Sequence, residues 1–372
     1  MAAIDRDDER RFMRRALRLA ERGRGRVNPN PMVGAVVVRR GRIVGQGWHR
    51  AAGRDHAEVE ALRRAGSNAR GATMYVTLEP CAHTGRTPPC VDAIVRAGIR
   101  RCVVALRDPH RVVDGRGLRR LRGAGIAVEV GSCADEVSAM LAGYLMTHER
   151  GRPRVTLKLA TSLDGRIAPP GGFHRTGAGR WLTGPEARRA AHGLRARSDA
   201  IVIGAGTARQ DDPRLTARLG AGTPFRQPLR VVCDTELRLP RTLRVFGSRL
   251  ARGTVVACGP RAPRRRQAAL EDRGVRVWRL PSAGGGVSAR ALLSRLGREG
   301  CFEVMVEGGA TLATSWLDAG VIDRVALFVA PQVLGARGLS WSGALRLGRR
   351  YQGRIVELGR AGRDVFLMVE GS

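Results

Sequence analysis

Apolar and polar positions alternate between two periods along the whole chain. Phe12, Ala16, Leu17, Leu19 and Ala20 recur at helical spacing and predict a helix over residues 9–22. MVGAVVVRRGRIVGQGWH then reads as two strands about a polar turn, DHAEVEALRRAG as a helix, TMYVTLE as a strand, PCVDAIVRAGI as a helix and CVVAL as a strand. GLRRLRGAG, AVEVG and DEVSAMLAGYLMTHE continue the alternation, so residues 1–147 are expected to form a mixed α/β layer domain. HERGRPR breaks the pattern with charge, Gly151 and Pro153, which places a linker at 148–153. A second α/β series fills 154–372. Its expected strands are VTLKLA, DAIVIG, LRVVCD, GTVVACG, VRVWRL, FEVMVEGG and RVALFVAP, with helices near 185–197, 264–273, 288–299 and 310–319. Short apolar runs separated by helices predict a largely parallel, covered sheet. GRIVELGRAGRDVFLMVEG predicts a terminal hairpin that adds an antiparallel edge, and no internal repeat is visible.

Composition narrows the class. At roughly 150 residues per domain, 372 residues predict about two domains. With 43% hydrophobic and 27% charged residues the chain has enough apolar surface to fold throughout. No apolar run approaches the roughly 20 residues of a membrane span, and the first residues lack a signal-peptide core, so a cytoplasmic protein without membrane contact is expected. Seven cysteines over this length do not form a secreted disulfide framework and point instead to metal ligands or catalytic thiols.

The net charge of +33 invites a nucleic-acid reading, but its distribution does not support one. Arginines are scattered through every segment, the longest basic run is the three residues Arg264, Arg265 and Arg266, and aromatics are only 4%. Among 66 basic residues only Lys158 is lysine, which compositional pressure on the coding sequence explains without a functional cause. Small anionic substrates suit such a surface, and no nucleic-acid partner is expected.

The strongest chemical signal is His56-Ala57-Glu58, followed by Glu79-Pro80-Cys81 and Pro88-Pro89-Cys90. One imidazole and two thiolates give zinc three ligands and leave the fourth tetrahedral position for water, a catalytic arrangement. Glu58, two residues from His56, is free to move a proton between water and substrate. Both cysteines are expected where a loop enters a helix, whose amides favour thiolates. Any one of these residues alone is more often an ordinary core or surface group. The ordered set matches the zinc nucleobase deaminase signature, except that eight residues, AHTGRTPP, separate Cys81 from Cys90. That spacer must fold back on the site and brings His83 and Arg86 beside it.

In the second half, GAGT at 204–207 and EGGATL at 307–312 each follow a strand and precede a helix, so their amides can meet cofactor phosphates. Tight turns that merely need glycine remain the alternative, because neither segment gives the dinucleotide fingerprint.

GRVNPNPMVGAVVV, GQGWH, DHAEVEAL, VTLEPCAHTGRTPPC and VTLKLATSLDGRIA closely resemble the bifunctional riboflavin-biosynthesis deaminase/reductase family, over essentially the whole chain. The resemblance implies an α/β protein with an N-terminal cytidine-deaminase-like zinc domain and a C-terminal dihydrofolate-reductase-like domain. It implies that the first removes an amine from a phosphoribosylated diaminopyrimidine and that the second reduces the ribosyl group to ribityl with NADPH. By the same resemblance His56, Cys81 and Cys90 hold Zn2+, Glu58 is the proton shuttle, and Asn30, His49, His83 and Arg86 contact the deaminase substrate, Arg86 at its phosphate. Implied NADPH contacts are Ala160, Trp181, Thr207, Asp211, Thr235, Gly309, Ala310, Thr311 and Leu312. Implied reductase substrate contacts are Lys158, Arg195, Leu215, Arg218 and Glu307, the two arginines being suited to clamp a phosphate. Because arginine serves everywhere else, the single lysine at 158 points to a need for a compact ammonium. A homo-oligomer is expected.

The chain departs from the family pattern between Ile167 and Trp181, where PPGGFHRTGAGR is about five residues longer and offers Gly179 in place of a serine. A paralogue acting on another pyrimidine is one alternative this leaves. A nucleic-acid-editing deaminase is another, disfavoured by the spacing between the cysteines and by the EGGATL-bearing domain.

Overall fold

The computed structural model of the chain describes residues 6–85, 87–172, 181–220, 226–342 and 351–371. It divides into two compact units, Met1–Gly151 and Arg152–Ser372. Among the described residues no helix is long and apolar enough to cross a membrane.

The first unit begins with helix α1 (Arg6–Ala20) and strands β1 (Gly34–Arg39) and β2 (Arg42–Trp48). Arg40 and Gly41 both take positive φ between those strands, the two-residue turn whose twist suits a hairpin. Helix α2 (Ala57–Ala65), β3 (Thr73–Leu78), α3 (Cys90–Arg96), β4 (Arg101–Leu106), α4 (Arg116–Gly123), β5 (Ala127–Val130) and α5 (Ala134–Arg150) follow. The sheet runs β2-β1-β3-β4-β5, with β1 antiparallel to both neighbours and β3, β4 and β5 parallel. Alternate residues of each strand face opposite layers. Ala35, Val37, Met74, Val76, Cys102 and Val104 pack on Ala57 and Ala61 of α2, Ile94 of α3 and Leu121 of α4. The opposite face is covered by α1 and α5, with the rings of Phe12 and Tyr75 5.3 Å apart.

Helix α5 runs on through Arg150, so the expected linker residues His148, Glu149 and Arg150 are helical. His148 and Arg150 suit the last turn's dipole, and Gly151, at φ 68°, ends the helix in the left-handed conformation that glycine adopts without strain.

The second unit contains β6 (Arg154–Thr161), β7 (Arg166–Ala168), α6 (Pro185–Ala196), β8 (Ala200–Gly204), α7 (Ala205–Asp211), β9 (Leu229–Cys233), α8 (Ser248–Ala251), β10 (Thr254–Cys258), α9 (Arg264–Glu271) and β11 (Arg276–Arg279). Its remainder is β12 (Ser282–Ala283), β13 (Gly286–Val287), α10 (Ala289–Arg298), β14 (Glu303–Val306), α11 (Ala310–Asp318), β15 (Arg324–Val329), β16 (Leu339–Ser340), β17 (Gly353–Ala361) and β18 (Asp364–Gly371). The main sheet is ordered β11-β10-β9-β8-β14-β6-β15-β18-β17. Its strands are parallel from β11 to β15, and the β17–β18 hairpin adds the antiparallel edge. One face packs Val155, Leu157 and Leu159 against Leu292, Leu293 and Leu296 of α10 and Trp316 of α11. The other packs Ile201, Ile203, Val232 and Val256 against Ala208 of α7, Phe246, Ala251 of α8 and Leu270 of α9. The short pairs β12–β13 and β7–β16 carry too few residues to show a period, and the sequence pattern does not reveal them.

Two glycines let α2 reach the sheet. A Cβ on Gly45 would overlap the Ala61 carbonyl, and one on Gly47 would overlap that of Ala57. Gly47→Ala is therefore expected to push α2 outward and destabilise the first unit by about 1–3 kcal/mol, the usual cost of overpacking. Chemical denaturation of the variant against wild type checks this, with unchanged stability counting against close helix approach.

Candidate active sites

Helix starts and strand ends assemble the first site. His56 is the residue before α2, with extended backbone (φ −74°, ψ 164°), and Glu58 sits in the first helical turn. Cys90 opens α3. Cys81 does not start a helix, contrary to expectation: it lies in the loop after β3, and the amide it uses is that of Cys90, which donates to its Sγ at 3.4 Å. A proline-rich spacer cannot continue as helix directly from Cys81, so the chain folds back before α3 begins.

The Nδ1 of His56 lies 3.1 Å from Cys90 Sγ and 3.6 Å from Cys81 Sγ, and all three donor atoms fall within 4.8 Å of one another. Two sulfurs and one nitrogen at these separations fit tetrahedral zinc, with bonds of about 2.3 Å to sulfur and about 2.0 Å to nitrogen. Thr87 Oγ1 is 3.4 Å from His56 Nε2, so the ring nitrogen facing away from the sulfurs also has a partner. The hydrogen bond from Cys90 brings the Cys81 thiol down to about 4, and the same contact raises Cys90.

Glu58 is 3% exposed and its Oε2 has no hydrogen-bond partner. Burial raises its pKa, against the pull of His56. A buried carboxyl with one unsatisfied oxygen beside a metal-type cluster is suited to accept and return a proton. His49 Nε2 and Asn30 Nδ2 are 3.0 Å apart, and the Nδ1 of His49 is 3.1 Å from the Asp55 carbonyl. The amide of Asn30 donates, so Nε2 of His49 accepts and the ring is neutral, as burial also favours. The rings of His49 and His56 lie edge to face at 5.2 Å, which joins both expected substrate residues to the cluster. His83 stands two residues after Cys81 with a buried Nδ1 that has no partner. Arg86 lies outside the described residues.

In the second unit the strand order gathers the expected residues. Adjacent parallel strands β9, β8, β14 and β6 end respectively at Thr235, the 204–207 turn, the 307–312 turn and the segment from Lys158 to Thr161. Ligands commonly bind outside these carboxyl ends. Leu157 pairs with Val306, the last residue of β14, so Lys158 and Ala160 extend beyond that strand on one face. Gly309 donates its N–H to Thr207 Oγ1 at 3.0 Å, tying the two glycine turns together, and Gly309 precedes Ala310, Thr311 and Leu312 in the first turn of α11.

Arg195 and Glu307, 112 residues apart, form a two-pronged pair at 2.7 and 2.6 Å. Burial works against both charges, but the partners outweigh it: Glu307 is held below the usual carboxylate range and Arg195 above its own. Burial lowers Lys158, against the attraction of Glu307 and Asp211, and its ammonium stands 5.9 Å from the Phe328 ring. Arg218 donates to Thr216 Oγ1 at 3.2 Å and contacts His192 Nε2 at 2.9 Å.

Two further expected residues lie in contrasting surroundings. Leu215 is 1% exposed and packed in the core with φ 50°, so its side chain is withdrawn from the surface. Trp181 is 51% exposed and stacks with Arg188 at 5.2 Å. Gly179 and most of the extended stretch lie outside the described residues. His192, Thr216 and Thr87 escape the sequence reading; His192 shares a helix face with Arg195 three residues on, the one signal that marks it.

Fold and sites define a cytidine-deaminase-like zinc domain followed by a dihydrofolate-reductase-like domain. Residues 6–106 match the "Cytidine and deoxycytidylate deaminase zinc-binding region" and residues 153–357 the "RibD C-terminal domain". The riboflavin biosynthesis protein RibD of Aquifex aeolicus is 42% identical over 90% of each chain. Acinetobacter baumannii RibD superposes with a TM-score of 0.88 at 36% identity, over 99% of this chain and 100% of that one. A Thermotoga maritima diaminohydroxyphosphoribosylaminopyrimidine deaminase/5-amino-6-(5-phosphoribosylamino)uracil reductase does so at 0.84 and 34%, over 99% of both. The chain belongs to the RibD family of bifunctional riboflavin-biosynthesis deaminase/reductases.

Metal analysis of the purified protein is expected to find about one zinc per chain, and Cys81→Ala, with one of three ligands gone, to lose most of it. Unchanged zinc in that variant would remove Cys81 from the ligand set.

Proposed function

We propose that the first unit hydrolyses the amine from a phosphoribosylated diaminopyrimidine, and that the second reduces the ribosyl group of the product to ribityl. The observation that carries this reading is the meeting of His56, Cys81 and Cys90 beside the buried Glu58, in a chain whose family resemblance spans both units. Zinc held by His56, Cys81 and Cys90 would supply the Lewis acidity that makes water a nucleophile near neutral pH. Glu58 would take a proton from the attacking water and pass it to the departing amine, which leaves as ammonia. Asn30 and His49 orient the pyrimidine, with His83 and Arg86 on its phosphoribosyl side.

NADPH, the hydride donor, would be held by the turns at Thr207 and Gly309–Leu312, with Ala160, Trp181, Asp211 and Thr235 completing its site. Lys158 presents a compact cation to the sugar, held by the field of Glu307 and Asp211. The pair of Arg195 with Glu307 fixes the polar wall, and Arg218 meets the phosphate. A cytoplasmic location suits this site, because reducing conditions keep the thiols of Cys81 and Cys90 available.

The full chain, given the phosphoribosylated diaminopyrimidine, is expected to release ammonia without NADPH and to oxidise NADPH only once the deaminated product has formed. Glu58→Gln should keep zinc and lower deamination about 100-fold or more. Lys158→Arg should lower reductase kcat/KM at least tenfold, about 1.4 kcal/mol, while deamination stays within about twofold. NADPH consumption without ammonia release would refute the reaction order; loss of deamination in Lys158→Arg, or loss of NADPH oxidation by Glu58→Gln when the deaminated product is supplied directly, would mark misfolding.

The expected homo-oligomer finds support at one sheet edge. Among the described residues, strand β17 is paired on one side only and exposes Ile355, Val356 and Leu358, the last at 67%. Apolar edge strands recruit partners. Leu358→Glu is expected to shift the light-scattering mass of the protein toward one chain, and a wild-type mass of one chain would exclude the oligomer.

A further inference from the structure

We propose that Glu79 is a positioning residue for the metal site: its buried carboxylate, gripped by four backbone amides, fixes where Pro80 and Cys81 lie. The inference rests on the reading of His56, Cys81 and Cys90 as zinc ligands.

Glu79 follows the last residue of β3, and its N–H donates to Leu106 at 2.9 Å, extending the β3–β4 ladder by one residue. Its side chain is 4% exposed. One oxygen accepts from Gly115 at 3.0 Å and Asp108 at 3.3 Å, the other from Gly117 at 2.8 Å and Leu118 at 3.3 Å. Four acceptor positions meet four donors, so the carboxylate's capacity is filled. No ion pair to Glu79 occurs among the described residues. Its charge is met by oriented amides at the start of α4, where partial positive charge gathers. A buried carboxylate without a cation and with no place in the chemistry needs another reason to be there.

That reason lies two residues on. A Cβ on Gly117 would overlap the Pro80 carbonyl oxygen, so the chain after Glu79 lies directly on α4. Proline at 80 fixes φ and leaves little slack between the clamp and the cysteine. Cys81 is held from the other side by Val91, whose N–H donates to its carbonyl at 3.2 Å, and Ala82 by Arg120 of α4 at 3.3 Å. Arg120 also pairs with Asp92 of α3 at 2.6 Å, so the two helices flanking the ligand loop are joined. The clamped segment is itself anchored: the Asp108 carboxylate accepts from Tyr144 of α5 at 2.9 Å and from the N–H of His110 at 2.9 Å. Displacing Glu79 thus moves Cys81 Sγ relative to His56 and Cys90, which sit on separate helices.

Glutamine tests the clamp with little change of shape, because its NH2 group would face amide donors where an oxygen now accepts. In the full-length protein, Glu79→Gln is expected to bind zinc at least tenfold more weakly in competition with a chromophoric chelator, within the range seen when supports of metal ligands are removed. The cobalt-substituted variant should show shifted ligand-field bands and a weaker thiolate charge-transfer band. NADPH oxidation on the deaminated substrate should stay within about twofold, reporting an intact second unit. Gly117→Ala presses on Pro80 from the opposite side and should give the same two metal signatures, carrying the test if Glu79→Gln folds poorly. Zinc affinity within twofold of wild type and an unchanged cobalt spectrum, even with a lowered melting temperature, would show Glu79 to be merely structural and overturn the proposal. A wild-type protein that binds no zinc would instead overturn the underlying metal reading.

Discussion

Strands covered on both faces leave no room for unpaired charge within the sheet, and this constraint sends the chemistry of both units to strand ends. In the first unit β1, β3 and β4 are almost wholly buried, and the polar residues of interest begin where those strands or their neighbours stop. His56 and Glu58 stand after β2 at the start of α2, and Glu79 and Cys81 follow β3. Burying an isolated charge costs several kcal/mol, so each buried carboxylate must have found partners or become hard to ionise. Glu79 found amides, while Glu58 did not and keeps a raised pKa. Two acids in one small domain thus take different roles from their surroundings alone.

The second unit sorts charge by the polarity of its strands. At the amino ends of β6, β14 and β15, Glu303 bridges Arg154 and Arg324, at 2.7 Å and 3.8 Å. At the carboxyl ends, Arg195 pairs with Glu307, and Lys158 lies within electrostatic reach of both. Both groups are paired, but only the second leaves a lysine whose ammonium is drawn down by burial and supported by carboxylates at a distance. Registration explains the location: β14 stops opposite Leu157, which leaves the next residues of β6 without that neighbour. A lysine one pair earlier would lie against the strand.

Glycine spacing serves the same end by different means. Gly45 and Gly47 on β2 admit α2, Gly117 admits the Pro80 loop, and Gly309 lets α11 approach Thr207. At Gly47, Gly117 and Gly309 the missing side chain lets a helix start approach closely, whereas Gly45 admits the later turns of α2. Helix starts offer unbonded N–H groups, and the chain uses them for a cysteine sulfur at Cys90 and for a carboxylate at α4. The surface excess of arginine plays no visible part in this, since the arginines that matter are the few that burial has forced into pairs.

Local pattern alone determined the order of the main helices and strands, the antiparallel terminal hairpin and the identity of the zinc cluster. Those features depend on periodicity and on residues within a few tens of positions, where chain connectivity limits the alternatives. His56, Cys81 and Cys90 were legible because their chemical types are rare and their order is distinctive. The tertiary structure decided what periodicity cannot encode. It paired Arg195 with Glu307, withdrew Leu215 into the core, carried α5 through Arg150 and set four amides around Glu79. Each depends on which distant segments pack together, and a solvated arginine and a clamped one, or a surface carboxylate and a buried one, are the same letters until packing removes the water.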